Sequence, residues 1–140
     1  MKRLISSTTL FIPSDSSIDQ SLKLMINCKV SSALICDDSG KVVGIITERD
    51  ILRKISLLDV DRKLGRKINT IMARPVEFAF LSTVDEDVQR MHREKSMRHF
   101  PVLRRKGAAT KSNVVGMITV TDIARKYLDD ICGQTDGDIF

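Results

Sequence analysis

The sequence predicts a mixed α/β (α+β) fold in which two β-α-β-β-α repeats pack sheet to sheet with pseudo-two-fold symmetry. The first indication is a repeated motif: Gly44–Asp50 reads GIITERD, and Gly116–Asp122 reads GMITVTD 72 residues later. The second is the setting of each copy, which follows an apolar, β-prone run and precedes a segment of helical periodicity. Self-similarity of this kind indicates that most of the chain is two diverged copies of one unit.

The stretches upstream of the motif also match once two insertions are allowed. Ser31–Ile35 aligns with Arg98–Val102 at an offset of 67 residues, and Ile5-Ser6 aligns with Ile71-Met72 at 66. Because a repeat of about 60 residues is marginally stable alone, the two repeats should share a core. The expected organisation is repeat one over 1–60, a connector over 61–66, repeat two over 67–131 and a frayed tail over 132–140.

Each repeat is predicted to contain a strand, a helix, a two-stranded hairpin and a second helix. In repeat one these lie at Leu10–Ile12, around the helical face Ile18, Leu22, Met25 and Ile26, at Ser32–Cys36 with Val42–Thr47, and from about Glu48 to Leu57. In repeat two they lie at 75–80, 84–95, 100–103 with 114–119, and up to about residue 131. Two helices then cover one face of each sheet, and the other repeat must cover the opposite face.

Composition narrows the class of protein. No apolar run approaches the roughly 18 residues that span a bilayer, so no membrane association is expected. The start of the chain resembles a signal peptide, but Ser6 to Thr9 interrupt its apolar region, and we interpret it as part of the fold. Three cysteines without C-x-x-C spacing indicate free thiols in a reducing, cytoplasmic setting rather than disulfides or zinc ligands.

The sequence argues against an enzyme and against a nucleic-acid-binding protein. There are two histidines, no glycine-rich phosphate loop, no G-x-S-x-G or H-E-x-x-H motif and no cluster of metal ligands, so neither catalysis nor a catalytic cofactor is expected. The net charge of +5 prompts the nucleic-acid hypothesis. However, five Phe and one Tyr offer little base stacking, and no recognition motif is present.

The Thr-x-x-Asp pattern inside the repeated motif has two interpretations. Thr47 with Asp50, and Thr119 with Asp122, can form helix caps, each stabilising by about 1 kcal/mol without any ligand. The same atoms suit a nucleotide, because a helix N-terminus favours phosphate and an Asp can accept from both ribose hydroxyls. The glycine that opens each motif indicates a bulge or a close backbone approach.

The wider pattern resembles the cystathionine-β-synthase (CBS) domain. The residues that carry this resemblance are SSALI and VVGIITERDIL in repeat one, and INTIMARPV, VDEDVQRM, RHFPVL and VVGMITVTDIA in repeat two. They cover nearly all of residues 4–131, so the chain resembles a stand-alone CBS pair, or Bateman module. The resemblance implies a homodimeric sensor that binds AMP, ADP, ATP or S-adenosylmethionine in the clefts between its repeats. It also implies that the sensor regulates a partner protein, which the sequence does not identify.

The resemblance also implies which residues bind the ligand. The ribose positions fall on Thr47, Asp50, Thr119 and Asp122. The adenine positions, which act mostly through the backbone, fall on Ser7, Thr8, Ala33, Ile35, Ala73, Phe100, Pro101 and Val102. Repeat two follows the family pattern more closely, so we rank the Asp122 site slightly above the Asp50 site.

Phosphate candidates come from the basic residues near the motif, since Arg can grip phosphate bidentately. They are Arg49, Arg53, Arg98, His99 and Arg125.

A ligand-free dimerisation or protein-docking module is the competing hypothesis. Its seam would be formed by apolar residues that follow the helical period, namely Ile51, Leu52, Ile55, Ile123, Ala124 and Tyr127.

Overall fold

A computed structural model describes residues 1–55 and 65–134, which contain two three-stranded sheets and four α-helices. The elements are β1 (Phe11–Pro13), α1 (Ile18–Cys28), β2 (Ser32–Cys36), β3 (Val42–Thr47), α2 (Glu48–Ile55), β4 (Ala79–Phe80), α3 (Val84–Lys95), β5 (His99–Leu103), β6 (Val114–Thr119) and α4 (Val120–Gln134). The predicted β-α-β-β-α order is therefore confirmed in both repeats. The expected end of α2 at Leu57, most of the connector and the last six residues lie outside the described residues.

The two sheets share one topology, with β2 or β5 as the central strand. β1 pairs parallel with β2, and β3 pairs antiparallel with it; β4, β5 and β6 repeat the arrangement. All five residues of β2 are buried, as expected for a central strand that is covered on both faces. The first strand of repeat two is shorter than predicted, because only Ala79 and Phe80 pair with β5.

The repeated glycines sit where the sequence predicted a bulge or a close approach. The pairing register shifts beside Gly44 and again beside Gly116. A Cβ atom added at Gly44 would collide with the Met72 side chain, and one added at Gly116 would collide with the Ser6 carbonyl oxygen. Only glycine leaves room for these neighbours to lie against the strand.

Each repeat begins with a segment that packs on the other repeat. Residues 1–8 form lead segment one, whose Met1, Leu4 and Ile5 pack against the core of repeat two. Residues 66–75 form lead segment two, whose Ile68 and neighbours belong to the core of repeat one. Ser6 is bridged to Met117 and Ala73 to Ile45, each through two backbone hydrogen bonds of 2.8 to 3.1 Å. This exchange ties the two repeats together.

These bridges correct one detail of the sequence alignment. Ser6 occupies the place of Ala73, so Ile5 corresponds to Met72 rather than to Ile71. The loop between lead segment and helix is one residue shorter in repeat two, and matching the helices could not reveal this.

The faces of the sheets opposite the helices meet in a separate apolar cluster. Leu34 and Val42 of repeat one are buried there with Met117 of repeat two, and Phe78 packs against them. The predicted sheet-to-sheet packing is therefore confirmed. It places the C-terminal ends of β3 and β6, which carry the Thr-x-x-Asp motifs, at the interface between the repeats.

Candidate ligand-binding clefts

Two cavities open between the repeats, one beside each Thr-x-x-Asp motif. The Asp122 cleft has a volume of about 790 Å³, and its lining includes Ser6, Thr8, Lys29, Thr119, Asp122 and Arg125. The Asp50 cleft has a volume of about 600 Å³, and its lining includes Thr47, Arg49, Asp50, Arg53, Ala73 and Lys95. Both volumes lie in the range of small-molecule sites in proteins.

Each cleft is built from parts of both repeats. The Asp122 cleft combines the β6–α4 motif of repeat two with lead segment one and the end of α1. The Asp50 cleft combines the β3–α2 motif of repeat one with lead segment two and the end of α3. A ligand in either cleft would therefore contact both repeats at once.

The first motif places its carboxylate by a helix cap. The Thr47 hydroxyl accepts from the Asp50 amide at 3.3 Å and donates to Asp50 Oδ2 at 3.0 Å. These contacts hold the Asp50 side chain at the start of α2, where it lines the cleft. The predicted cap is present, and it uses one of the two carboxylate oxygens.

The second motif has the same geometry with one additional hydrogen bond. Thr119 Oγ1 accepts from the Asp122 amide at 3.1 Å and donates to Asp122 Oδ2 at 2.8 Å. The Thr119 amide also donates to Asp122 Oδ2 at 3.3 Å, which completes a capping box. In both motifs the other carboxylate oxygen, Oδ1, has no hydrogen-bond partner within residues 1–55 and 65–134. Capping therefore leaves an acceptor on each Asp available to a ligand.

Of the residues predicted to hold adenine, two line a cleft and six do not. Thr8 lines the Asp122 cleft and Ala73 lines the Asp50 cleft, whereas Ser7 is exposed on lead segment one and lines neither. The remaining candidates belong to the covered central strands, are fully buried and line neither cleft: Ala33, Ile35, Phe100, Pro101 and Val102. Their participation in binding stays a prediction.

The predicted phosphate candidates all line a cleft. Arg49 and Arg53 line the Asp50 cleft, Arg125 lines the Asp122 cleft, and Arg98 and His99 line both. Across the described ranges 1–55 and 65–134, none of these four guanidinium groups forms an ion pair or a hydrogen bond. They are thus available to an anionic ligand.

Two lysines that line the clefts were not predicted from the sequence. Lys29, just after α1, lines the Asp122 cleft, and Lys95, at the end of α3, lines the Asp50 cleft. Lys95 is paired with Glu77, which leaves less of its charge available to a ligand. A basic residue at the end of the first helix in each repeat was the available signal.

His99 lies where the two clefts adjoin. Its Nε2 is 3.1 Å from the Ser31 hydroxyl of repeat one. Burial lowers the pKa of His99 below its ordinary value of 6.5, and the neighbouring Arg98 lowers it further. Glu48, Asp50 and Asp122 act in the opposite direction and raise the pKa. An anion bound beside His99 would also favour its charged form.

The described residues show neither a metal centre nor a membrane span. In the ranges 1–55 and 65–134, no three His, Cys, Asp or Glu side chains are grouped so that they could hold a metal ion. No helix in those ranges is both long and apolar enough to cross a bilayer. Cys36 is buried, and this burial raises the pKa of its thiol, which disfavours a reactive thiolate.

Comparison with known proteins identifies the family. The sequence profile of the CBS domain matches residues 2–57 and 68–129. The chain therefore belongs to the CBS domain family and carries two CBS domains in tandem.

Individual relatives place this pair in different settings. An uncharacterized 17.7 kDa protein from Acidianus ambivalens is 27% identical over 126 residues, covering 89% of this chain and 71% of that protein. Inosine-5'-monophosphate dehydrogenase from Helicobacter pylori is 27% identical over 120 residues, covering 84% of this chain but 22% of that enzyme. The chain thus corresponds to less than a quarter of the dehydrogenase.

A solved structure gives the same fold with ligands bound. The CBS domain pair of protein MJ0100, in complex with 5'-methylthioadenosine and S-adenosyl-L-methionine, superposes with a TM-score of 0.75. It is 27% identical in sequence, and the match covers 92% of this chain and 95% of that one. The mixed α and β fold of a CBS pair is therefore confirmed.

Proposed function

We propose that this tandem CBS pair is a regulatory sensor that binds adenosine-type ligands, such as AMP, ADP, ATP or S-adenosylmethionine, and catalyses no reaction itself. The observation that carries the proposal is the pair of capped carboxylates. Asp50 and Asp122 each line a cleft and each keep one oxygen without a partner among the described residues.

The chemistry of a nucleoside fits both clefts. A carboxylate oxygen can accept hydrogen bonds from the 2' and 3' hydroxyls of ribose. The amides at the start of α2 and α4 favour an anion. Nearby guanidinium groups, which form no ion pair with any residue that the structure describes, also line the clefts. The complex of MJ0100 with two adenosyl compounds supports this class of ligand. Since both repeats line each cleft, binding would tighten their contact, which is a physical basis for sensing.

A thermal-shift screen tests the proposal. The wild-type protein should melt at a higher temperature in the presence of at least one of AMP, ADP, ATP and S-adenosylmethionine. Asp50→Ala and Asp122→Ala should each reduce the shift, and the double variant should abolish it. Each ligand-induced shift is measured against the variant's own ligand-free melting temperature, so that loss of the cap is not mistaken for loss of binding.

A matched control is Asp15→Ala, which removes an exposed carboxylate that lines neither cleft. This variant should keep the full ligand-induced shift. An unchanged melting curve of the wild type with all four ligands at millimolar concentration would contradict the proposed function.

The competing function, a dimerisation or protein-docking module, is favoured by exposed apolar side chains on the second helices. Leu52 on α2 is 70% exposed, and Tyr127 and Leu128 on α4 are 68% and 56% exposed. Of the predicted seam, Ala124 is also exposed, but Ile51 is buried and Ile123 is half-buried, so those two serve the core. The Ile55 side chain lies outside the described residues.

We propose that this face joins two copies of the chain in a homodimer. Burying several large apolar side chains would supply the driving force. Size-exclusion chromatography with light scattering should report a dimer for the wild type and a monomer for a Leu52→Asp/Tyr127→Asp variant. A monomeric wild type at micromolar concentration would contradict the homodimer.

A further inference from the structure

The two clefts share one wall. Ser31, Glu48, Arg98 and His99 line both the Asp50 cleft and the Asp122 cleft. The hydrogen bond between the Ser31 hydroxyl and His99 Nε2, which joins the repeats, lies in this wall. A charge in the wall therefore acts on ligands in both clefts.

The charges in the wall break the pseudo-two-fold symmetry. Ser31 and Arg98 occupy equivalent places, because the Ser31 carbonyl accepts from the Glu48 amide at 3.0 Å and the Arg98 carbonyl accepts from the Val120 amide at 2.9 Å. Glu48 is likewise equivalent to Val120. In a symmetric wall, the positions of Ser31 and Arg98 would carry the same charge, and so would the positions of Glu48 and Val120. In this wall only one member of each pair is charged.

We propose that Arg98 is a single cation shared by the two clefts, and that two phosphorylated ligands therefore bind with negative cooperativity. This inference rests on the proposed function, since it concerns the anionic group of an adenosine-type ligand. It extends that function by naming the residue that couples the two clefts and the class of ligand for which the coupling operates.

The physical argument is competition for one guanidinium group. Arg98 is exposed and forms no ion pair among the described residues, so it is available to the first anion that arrives in either cleft. A bidentate contact with one phosphate occupies the planar fork of the guanidinium and orients it toward that cleft. The second phosphate then meets the carboxylate of Glu48 without the compensating cation.

Each cleft also has cations that the other does not share. Arg49 and Arg53 line only the Asp50 cleft, while Lys29 and Arg125 line only the Asp122 cleft. Either cleft can therefore bind a phosphorylated ligand when the other is empty. Uncharged adenosine makes no use of Arg98, so it should bind the two clefts independently.

Isothermal titration calorimetry with AMP and with adenosine tests the inference. Asp50→Ala and Asp122→Ala each leave one cleft and report its affinity for AMP with Arg98 uncontested. In the wild type, the second AMP should bind about five- to tenfold more weakly than the same cleft binds it in the single-cleft variant. Adenosine should show no such difference.

Two arginine variants separate the shared cation from ordinary cleft charges. Arg98→Gln, combined with each Asp variant in turn, should weaken AMP binding in both clefts. In Arg98→Gln alone, the second AMP should bind with the same affinity as it does in the corresponding Arg98→Gln/Asp double variant. Arg125→Gln is the matched control, since it should weaken only the Asp122 cleft and leave the coupling in place.

Several outcomes would overturn the inference. These are equal AMP affinities in the wild type and the single-cleft variants, coupling that survives Arg98→Gln, equal coupling for adenosine, and AMP binding confined to one cleft. Failure of the proposed function has a different signature, namely no binding of AMP, ADP, ATP or S-adenosylmethionine to the wild type, whereas the absence of AMP binding alone would overturn only the shared cation. Two independent adenosine sites with uncoupled AMP binding would overturn only the shared cation.

Discussion

The Asp50 and Asp122 clefts contain equivalent parts, but the lead segments that close them are buried to different degrees. Ile68, Ile71 and Met72 of lead segment two are 0%, 4% and 9% exposed beside the Asp50 cleft. Their counterparts beside the Asp122 cleft, Met1, Leu4 and Ile5, are half-buried. The carboxylates are therefore held alike, while the walls opposite them are packed with different tightness.

This difference shows which parts of the duplicated unit can diverge without losing the clefts. Both Thr-x-x-Asp caps keep the same hydrogen bonds between hydroxyl, amide and carboxylate. The lead segments keep only the backbone bridge at Ser6 or Ala73, and their side chains differ. A wall with fewer buried apolar contacts opens at lower free energy, so the Asp122 cleft should have the more easily displaced wall.

The largest expected effect is on the packing of the two lead segments. Ile68→Ala should lower the free energy of unfolding by about 3 kcal/mol, because it leaves a cavity at a fully buried position. Leu4→Ala should lower it by about 1 to 2 kcal/mol, because Leu4 is already partly in contact with water. Urea unfolding of the wild type and both variants measures the difference.

The control for this pair is Ile26→Ala, a change at an isoleucine that is 72% exposed. It should alter the free energy of unfolding by less than about 0.5 kcal/mol. Equal losses for Ile68→Ala and Leu4→Ala would contradict the difference in packing between the lead segments.

A smaller effect should distinguish the two glycines. Gly116→Ala directs a Cβ atom at the Ser6 backbone, which cannot yield without moving lead segment one, and should destabilise by about 1 to 3 kcal/mol. Gly44→Ala meets the Met72 side chain, from Sδ back to Cβ, and none of the atoms nearest to it belongs to the backbone. Because that flexible side chain can adopt another rotamer, the loss should be smaller. Thermal melting of the two variants side by side checks the order, and a larger loss for Gly44→Ala would refute it.

The smallest expected effect concerns His99 in the shared wall. Because burial lowers the pKa of His99 in the folded protein below 6.5, the unfolded chain binds more protons as the pH falls through that value. Stability should therefore decrease from about pH 7.5 to about pH 5.5, two values that bracket the ordinary imidazole pKa. The His99→Asn variant should lose this part of the decrease, as measured by urea unfolding at the two pH values.

The histidine control is His92→Asn, which leaves His99 in place and should retain the contribution of His99. A decrease of the same size in the wild type and in His99→Asn would show that the imidazole in the wall does not govern the response.

Much of the fold could be predicted from the sequence because the repeat and its periodicities are local. Helix α3 and strands β2, β3 and β6 were predicted with their observed bounds. The other elements fall within a few residues of the expected positions wherever the structure describes them. The exchange of lead segments could not be predicted, since it depends on which repeat each segment covers. The pairing of Ser6 with Met117 joins residues that are far apart in the sequence, so local periodicity cannot predict it.

The candidate site was predictable in part for the same reason. The Thr-x-x-Asp caps follow from spacing along one strand and one helix, and both are present. That Arg98 and His99 line both clefts depends on how the repeats meet, so it required coordinates. The central-strand candidates, such as Phe100 and Val102, lie on strands near the clefts but are fully buried. The family pattern therefore predicted the right region of the fold, but it could not predict which side chains are exposed to a ligand.

The most direct test of the central claim is the number of adenosine molecules bound per chain, measured by titration calorimetry. Two equivalent carboxylates in two clefts predict two sites in the wild type, one in Asp50→Ala, one in Asp122→Ala and none in the double variant. Adenosine binding to the double variant with the wild-type stoichiometry would contradict the account, because the ligand would then be held without either carboxylate.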